Sequence, residues 1–110
     1  MSGARTMERV AFTMRLLPGA EAEYRTRHAD VWPEMLDELR AAGCSNYSIY
    51  LLDQQLIGVF DVQDFDRFRA HMAASAVNER WQADMTALID PCTDPATGFH
   101  RRLDEVFHLD

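Results

Sequence analysis

Val10, Phe12, Met14 and Leu16 alternate with Ala11, Thr13 and Arg15. A period of two puts successive side chains on opposite faces of a strand, here with one face strongly apolar. Pro18-Gly19 ends that strand, because proline cannot donate to a ladder and glycine turns easily. Residues 20–29 favour helix. Pro33 would kink a continuous helix, so two helical pieces are expected, 20–29 and 31–42, joined by a bend. Asp30 is the expected N-cap of the second, with Pro33 in its first turn. Met35, Leu36 and Leu39 form the apolar stripe of that piece, and Gly43 is its stop.

Tyr47, Ile49 and Leu51 alternate with Ser48, Tyr50 and Leu52 as a second strand, and Leu56 to Val62 form a third after a turn at Asp53-Gln54-Gln55. Asp64 caps a helix carrying Phe65, Phe68 and Met72. Ser75-Ala76 separates it from a helix over 77–89 with Trp81, Met85, Leu88 and Ile89. A loop over 90–98 follows, long enough to be a pocket wall. Leu103, Glu105, Phe107 and Leu109 then alternate with Asp104, Val106 and His108 as a last strand. This order is βαββαβ, the split pattern of a ferredoxin-like α+β sandwich, with helices on one face of a four-stranded antiparallel sheet. The third strand has large apolar groups on both faces, Ile57 and Val59 against Leu56, Phe60 and Val62. A face left in water should be polar, so the second face is expected to cover a pocket, a second subunit, or both.

Length and charge narrow the field. A chain of 110 residues is one domain, and residues 8–110 are expected to form it, after a short flexible extension over 1–7. A net charge of -7 repels phosphate backbones and anionic membrane surfaces, which argues against nucleic acid or a membrane as partner. There is no 18-residue apolar run, and the first residues lack an apolar signal core. Cys44 and Cys92 have no metal-site or CxxC spacing and read as reduced thiols of a cytoplasmic protein.

Tyr24, His28 and Trp32 are four residues apart and share one side even across the bend. Tyr47 and Tyr50 face opposite sides of the second strand, and Trp81 lies on the last helix. Aromatic faces suit the C–H faces of a sugar, and polar tips suit its hydroxyls. Taken singly, each has an ordinary structural explanation: a Trp at helical spacing is usually core, and a lone helical His is usually satisfied locally. His71, His100 and His108 are read that way. The four histidines show no short-range ligand pair, so no metal is expected. There is no P-loop or GxGxxG, and neither cysteine has a basic neighbour marking a nucleophile. The acidic residues along 21–38 read as a solvated helical face.

Ala11-Phe12-Thr13-Met14, Pro18-Gly19, Glu23-Tyr24-Arg25-Thr26-Arg27-His28 and Val31-Trp32-Pro33-Glu34 resemble the L-rhamnose mutarotase family. So do Asn46 to Leu51, Arg80-Trp81 followed by Met85, and Leu103 to Leu109. The resemblance implies a dimeric α+β barrel, hence a homodimer, acting on a free monosaccharide without a cofactor. It implies His28 as proton donor, Tyr24 and Tyr47 against the sugar, and a Trp-containing pair at 81 and 82 beside it. Gln82 departs from that pattern by standing where the family usually has a second Trp, and the 90–98 loop also differs.

Mutarotation opens the sugar ring to an aldehyde and recloses it on the other face. It moves protons and changes no oxidation state. Histidine suits this, with an ordinary pKa of about 6.5. The sequence leaves the base open among Tyr50, Glu34 and a bound water. Tyr47, Trp81 and Trp32 are the expected contacts to the C–H face and methyl group. Two rivals remain at this level: a cofactor-free monooxygenase-like enzyme of the dimeric barrels, and a non-catalytic sugar-binding module.

Overall fold

Strand β1 spans Glu8–Leu16, and its alternation buries Val10, Phe12, Met14 and Leu16 on one face. The computed structural model describes residues 7–110; the extension expected over 1–7 lies outside them except for Met7. The chain continues as α1 (Glu21–Ala29), α2 (Pro33–Ala41), β2 (Cys44–Leu52), β3 (Gln55–Val62), α3 (Phe65–Ala73), α4 (Ala76–Met85) and β4 (Ile89–Asp90). The sheet is antiparallel with order β2-β3-β1-β4. That is the ferredoxin-like α+β arrangement, with a helix pair in each crossover. Among the described residues no helix is long and apolar enough to cross a membrane.

The bend between α1 and α2 is set by Pro33 rather than by a cap at Asp30. A residue before proline is pushed out of the helical region, and Trp32 accordingly adopts φ -53°, ψ 132° as the N-cap of α2, with Pro33 in the first turn. Asp30 instead closes α1. Gly43, at φ 89°, supplies the left-handed stop of α2. Asp64 and Ser75 do cap α3 and α4, accepting from the N–H groups of Arg67 and Asn78.

In β2 a bulge between Ser45 and Ser48 shifts the register, with Asn46 at φ 51°, a conformation asparagine tolerates. Ahead of the bulge Cys44 pairs with inward-facing Val62; after it Ile49 pairs with Gly58 and Leu51 with Leu56. The extra residue thus brings both Cys44 and Tyr47 to the helix side of the sheet. The hairpin turn is shorter than expected, Asp53-Gln54, since Gln55 already pairs with Leu52.

The C-terminal third differs most from the sequence expectation. Helix α4 stops at Met85, and Ile89 belongs to β4, paired with Leu16. The expected strand over Leu103–Leu109 is not formed. Residues 91–100 make an excursion closed by the pairing of Thr93 with His100, after which Arg102 pairs with Phe12 and the Leu103 N–H reaches the Ala11 carbonyl. Beyond it no further strand pairing with β1 follows among the described residues, and Val106, Phe107 and Leu109 stand exposed. Alternation says which side chains would share a face; it does not guarantee a neighbouring edge to pair with.

Candidate active site

The cavity lies between the helices and the inner face of the sheet, not on the second face as the sequence allowed. It measures about 410 Å³, within the range of small-molecule sites. Phe12, Phe60 and Ile49 form its floor, His28 one wall, Trp81, Asn78 and Gln82 a second, and Phe99 and His100 a third. Each wall has a local cause. Glu21–Arg25 and Glu23–Arg27 pairs support α1 at i,i+4 spacing, and Arg27 also reaches Asp84 on α4 at 3.1 Å. That bridge holds the two helices whose inner residues are His28 and Trp81.

Tyr24 stacks on His28 with centroids 4.0 Å apart, and His28 meets Trp81 edge-on at 5.4 Å. The Nδ1–H of His28 donates to the Tyr24 carbonyl at 3.0 Å. A carbonyl can only accept, so the neutral ring has its proton on Nδ1 and a lone pair on Nε2. Burial moves the His28 pKa down, partly offset by that backbone bond. Burial pushes the Tyr24 phenol up to about 12. The Tyr47 phenol is also driven upward, first by desolvation and then by the neighbouring Tyr24 and Cys44.

The expected site residues separate into three sets. His28, Tyr47, Trp81 and Gln82 line the cavity. Tyr24 and Trp32 stand behind it: Tyr24 is 5% exposed under His28, and Trp32 packs edge-on against Trp81 at 5.1 Å. Tyr50 and Glu34 are elsewhere. Tyr50 pairs with Ile57 on the opposite sheet face and is 63% exposed, and Glu34 is exposed on the first turn of α2. Neither of these base candidates lines the cavity.

Two polar residues of the cavity were not singled out from sequence. Asn78 lies one helical turn before Gln82, a spacing legible once Gln82 is chosen. It accepts from Gln82 Nε2 at 3.2 Å and donates to the Met72 carbonyl at 3.1 Å. His100, read as structural, stacks on Phe12 at 4.8 Å and donates from Nδ1 to the Pro91 carbonyl at 2.6 Å. No local pattern marks it, because the 91–100 excursion alone brings it there. Apolar walls, a few amide groups and two imidazoles suit a small neutral polyol and proton transfer to and from its oxygens.

The family model described as L-rhamnose mutarotase matches residues 9–109. An L-rhamnose mutarotase of Verminephrobacter eiseniae is 45% identical over 107 residues, covering 94% of this chain and 97% of the relative. One from Oceanobacillus iheyensis is 36% identical over 106 residues, covering 94% of this chain and all of its own length. Among solved structures, an L-rhamnose mutarotase from Formosa agariphila superposes with a TM-score of 0.76 at 27% identity, covering 94% of this chain and 99% of that one.

Proposed function

The chain belongs to the L-rhamnose mutarotase family, and on that premise we propose that His28 is the group that opens the sugar ring. The reaction is an isomerisation of a carbohydrate, the interconversion of the α and β anomers of L-rhamnose. Family membership supports this over the monooxygenase-like and binding-module readings. The observation that carries the role of His28 is its tautomer. The Tyr24 carbonyl engages Nδ1, no protein group engages Nε2 among the described residues, and the ring lines the cavity. Protonated at Nε2, it can deliver a proton to the ring oxygen; neutral, it can take one back.

Tyr24 acts through His28, stacking on it and fixing its plane. Tyr47 and Trp81 supply the surfaces for the sugar's C–H face and methyl group, Trp32 braces Trp81, and Gln82 offers an amide to a hydroxyl. The proposed setting is a homodimer in the cytoplasm. A second copy is the occupant supported for the outer sheet face, where Ile57 and Val59 are half-buried and Tyr50 and Leu52 exposed. Apolar patches of that kind are rarely left to water. The free thiols of Cys44 and Cys92 suit a reducing compartment.

Magnetisation-exchange NMR on equilibrated L-rhamnose tests the assignment. Anomer exchange should accelerate with the wild-type protein and fall about 10²–10⁴-fold with His28→Asn. Equal rates for the two proteins would remove His28 from the mechanism. Sedimentation velocity should show a dimer, and a monomer at micromolar concentration would end the homodimer proposal.

A further inference from the structure

Ring opening needs a proton delivered to the ring oxygen and another removed from the anomeric hydroxyl. His28 accounts for one. Among the described residues that line the cavity, only His28, Tyr47 and His100 carry titratable side chains. The Tyr47 phenol is held far above its ordinary range by burial, which makes it a poor acceptor of protons as a phenolate near neutral pH.

His100 repeats the local arrangement of His28 on a different wall. Its Nδ1–H is committed to the Pro91 carbonyl at 2.6 Å, which places the lone pair of the neutral ring on Nε2. Phe12 stacks on one face of the ring at 4.8 Å with the planes 16° apart, and Phe99 meets it edge-on at 4.9 Å. Its plane is thereby fixed from the β1 side and from its own loop. No protein group takes a hydrogen bond at Nε2 among the described residues, and no buried side-chain nitrogen there is left unpaired. Nε2 is therefore open to what enters the cavity.

We propose that His100 is the second acid–base group of this active site, its Nε2 taking the proton of the anomeric hydroxyl while His28 delivers one to the ring oxygen. The proposal rests on the mutarotase reading of the same cavity. In the opening step the bond between anomeric carbon and ring oxygen breaks, and its electron pair takes the proton from His28. The O–H pair of the anomeric hydroxyl becomes the second bond of the carbonyl as its proton passes to His100. After the carbonyl turns, closure reverses both transfers. Each imidazole regains its starting state, and no other reactant is consumed.

The groups packed on His100 are Phe12, Phe99 and the Pro91 carbonyl, none of which titrates. Around His28 they are Tyr24, neutral at working pH, and Trp81. The two imidazoles therefore dominate the pH response. Catalysis requires one protonated and one neutral, so kcat/KM should be bell-shaped in pH.

The test is anomer-exchange NMR across pH with the wild-type protein, His100→Asn and His28→Asn. Asparagine retains a donor for the Pro91 carbonyl and withdraws Nε2. His100→Phe, which keeps the stack on Phe12, is the second variant should the first fold poorly. The expected result for His100→Asn is a kcat about 10²-fold lower with KM little changed, and loss of the acid limb of the bell. His28→Asn should instead lose the alkaline limb. A folded His100 variant with the wild-type kcat and an intact bell overturns the assignment while leaving the mutarotase reading in place. No acceleration by the wild-type protein overturns that reading, and the role of His100 with it.

Discussion

His28 lies face to face with Tyr24, ring centroids 4.0 Å apart, and donates a hydrogen bond from Nδ1–H to the carbonyl of the same residue at 3.0 Å. One residue thus sets both the plane and the tautomer of the imidazole. Burial is the main cause of its lowered pKa, and the hydrogen bond to the Tyr24 carbonyl works against it, so the site makes the protonated form scarcer while the orienting bond restores part of it.

That shift acts in opposite directions on rate and stability. The donor form is lost as pH rises through the folded-state pKa, which lies below the ordinary 6.5. The alkaline limb of kcat/KM, which reports the free enzyme, should therefore have its midpoint below 6.5. Stability follows the other sign. With folded pKa values below the unfolded ones for both His28 and His100, the unfolded chain binds more protons as pH falls. Stability contributed by the neutral rings is complete above about 6.5 and declines as pH drops toward the folded-state values. Thermal melts from pH 8 to pH 5 should show a falling Tm, with a shallower fall in His28→Asn. A flat profile would contradict the burial of these rings.

Phe12 and Gly58 provide a second test. They are paired across β1 and β3, and a Cβ on residue 58 would meet the tip of the Phe12 ring at 2.3 Å. Phe12 is 1% exposed and forms the cavity floor under His100 and Tyr47, so it has nowhere to retreat except into the cavity. Gly58→Ala should cost about 1–3 kcal/mol through overpacking, read by denaturant unfolding, and should raise KM as the floor lifts. A variant of wild-type stability would show that Phe12 can be displaced freely.

Strand alternation in Val10–Leu16 and helical spacing in Phe65, Phe68 and Met72 were legible because each is a local pattern reporting a buried face. The block Tyr24, His28, Trp32 was legible for the same reason, although only His28 of the three reaches the cavity. Three things were not local. Whether the apolar alternation of Leu103–Leu109 becomes a strand depends on strand pairing with a neighbouring edge, which these residues do not make. The helix boundary near Ile89 is decided by its pairing with Leu16, far away in sequence. His100 is brought to the cavity by the pairing of Thr93 with His100 across a loop, and no periodicity records that.

Glu38 joins α2 to the second helix pair. It accepts from His71 at 2.6 Å and from the Ser75 hydroxyl that also caps α4. The Ser75 hydrogen bond first, then His71, holds its carboxyl below the ordinary range. A depressed carboxylate contributes stability present above its unfolded pKa of about 4.3 and lost as pH falls through the folded value. Glu38→Gln should lower Tm at neutral pH and weaken the acid dependence below pH 5, with kcat retained because Glu38 does not line the cavity. An unchanged Tm would mean that the clamp contributes nothing to stability.

Gln82 lines the cavity beside Trp81, and Asn78 sets how its amide is presented there. Gln82 donates to Asn78, which donates in turn to the Met72 carbonyl. The ladder points one amide of α4 and leaves the Gln82 carbonyl oxygen free to accept a sugar hydroxyl. A hydrogen bond of this kind contributes about 0.5–1.5 kcal/mol, a factor of roughly 2–12 in affinity by the usual conversion. Asn78→Ala removes the partner that orients Gln82 and leaves both imidazoles untouched. It should raise KM for L-rhamnose by about that factor with little change in kcat, the signature of lost ground-state binding. Gln82→Trp should shift preference toward sugars presenting a methyl or C–H edge, measured as relative kcat/KM across monosaccharides. A fall in kcat at constant KM in Asn78→Ala would instead place the amide ladder in the proton-transfer step.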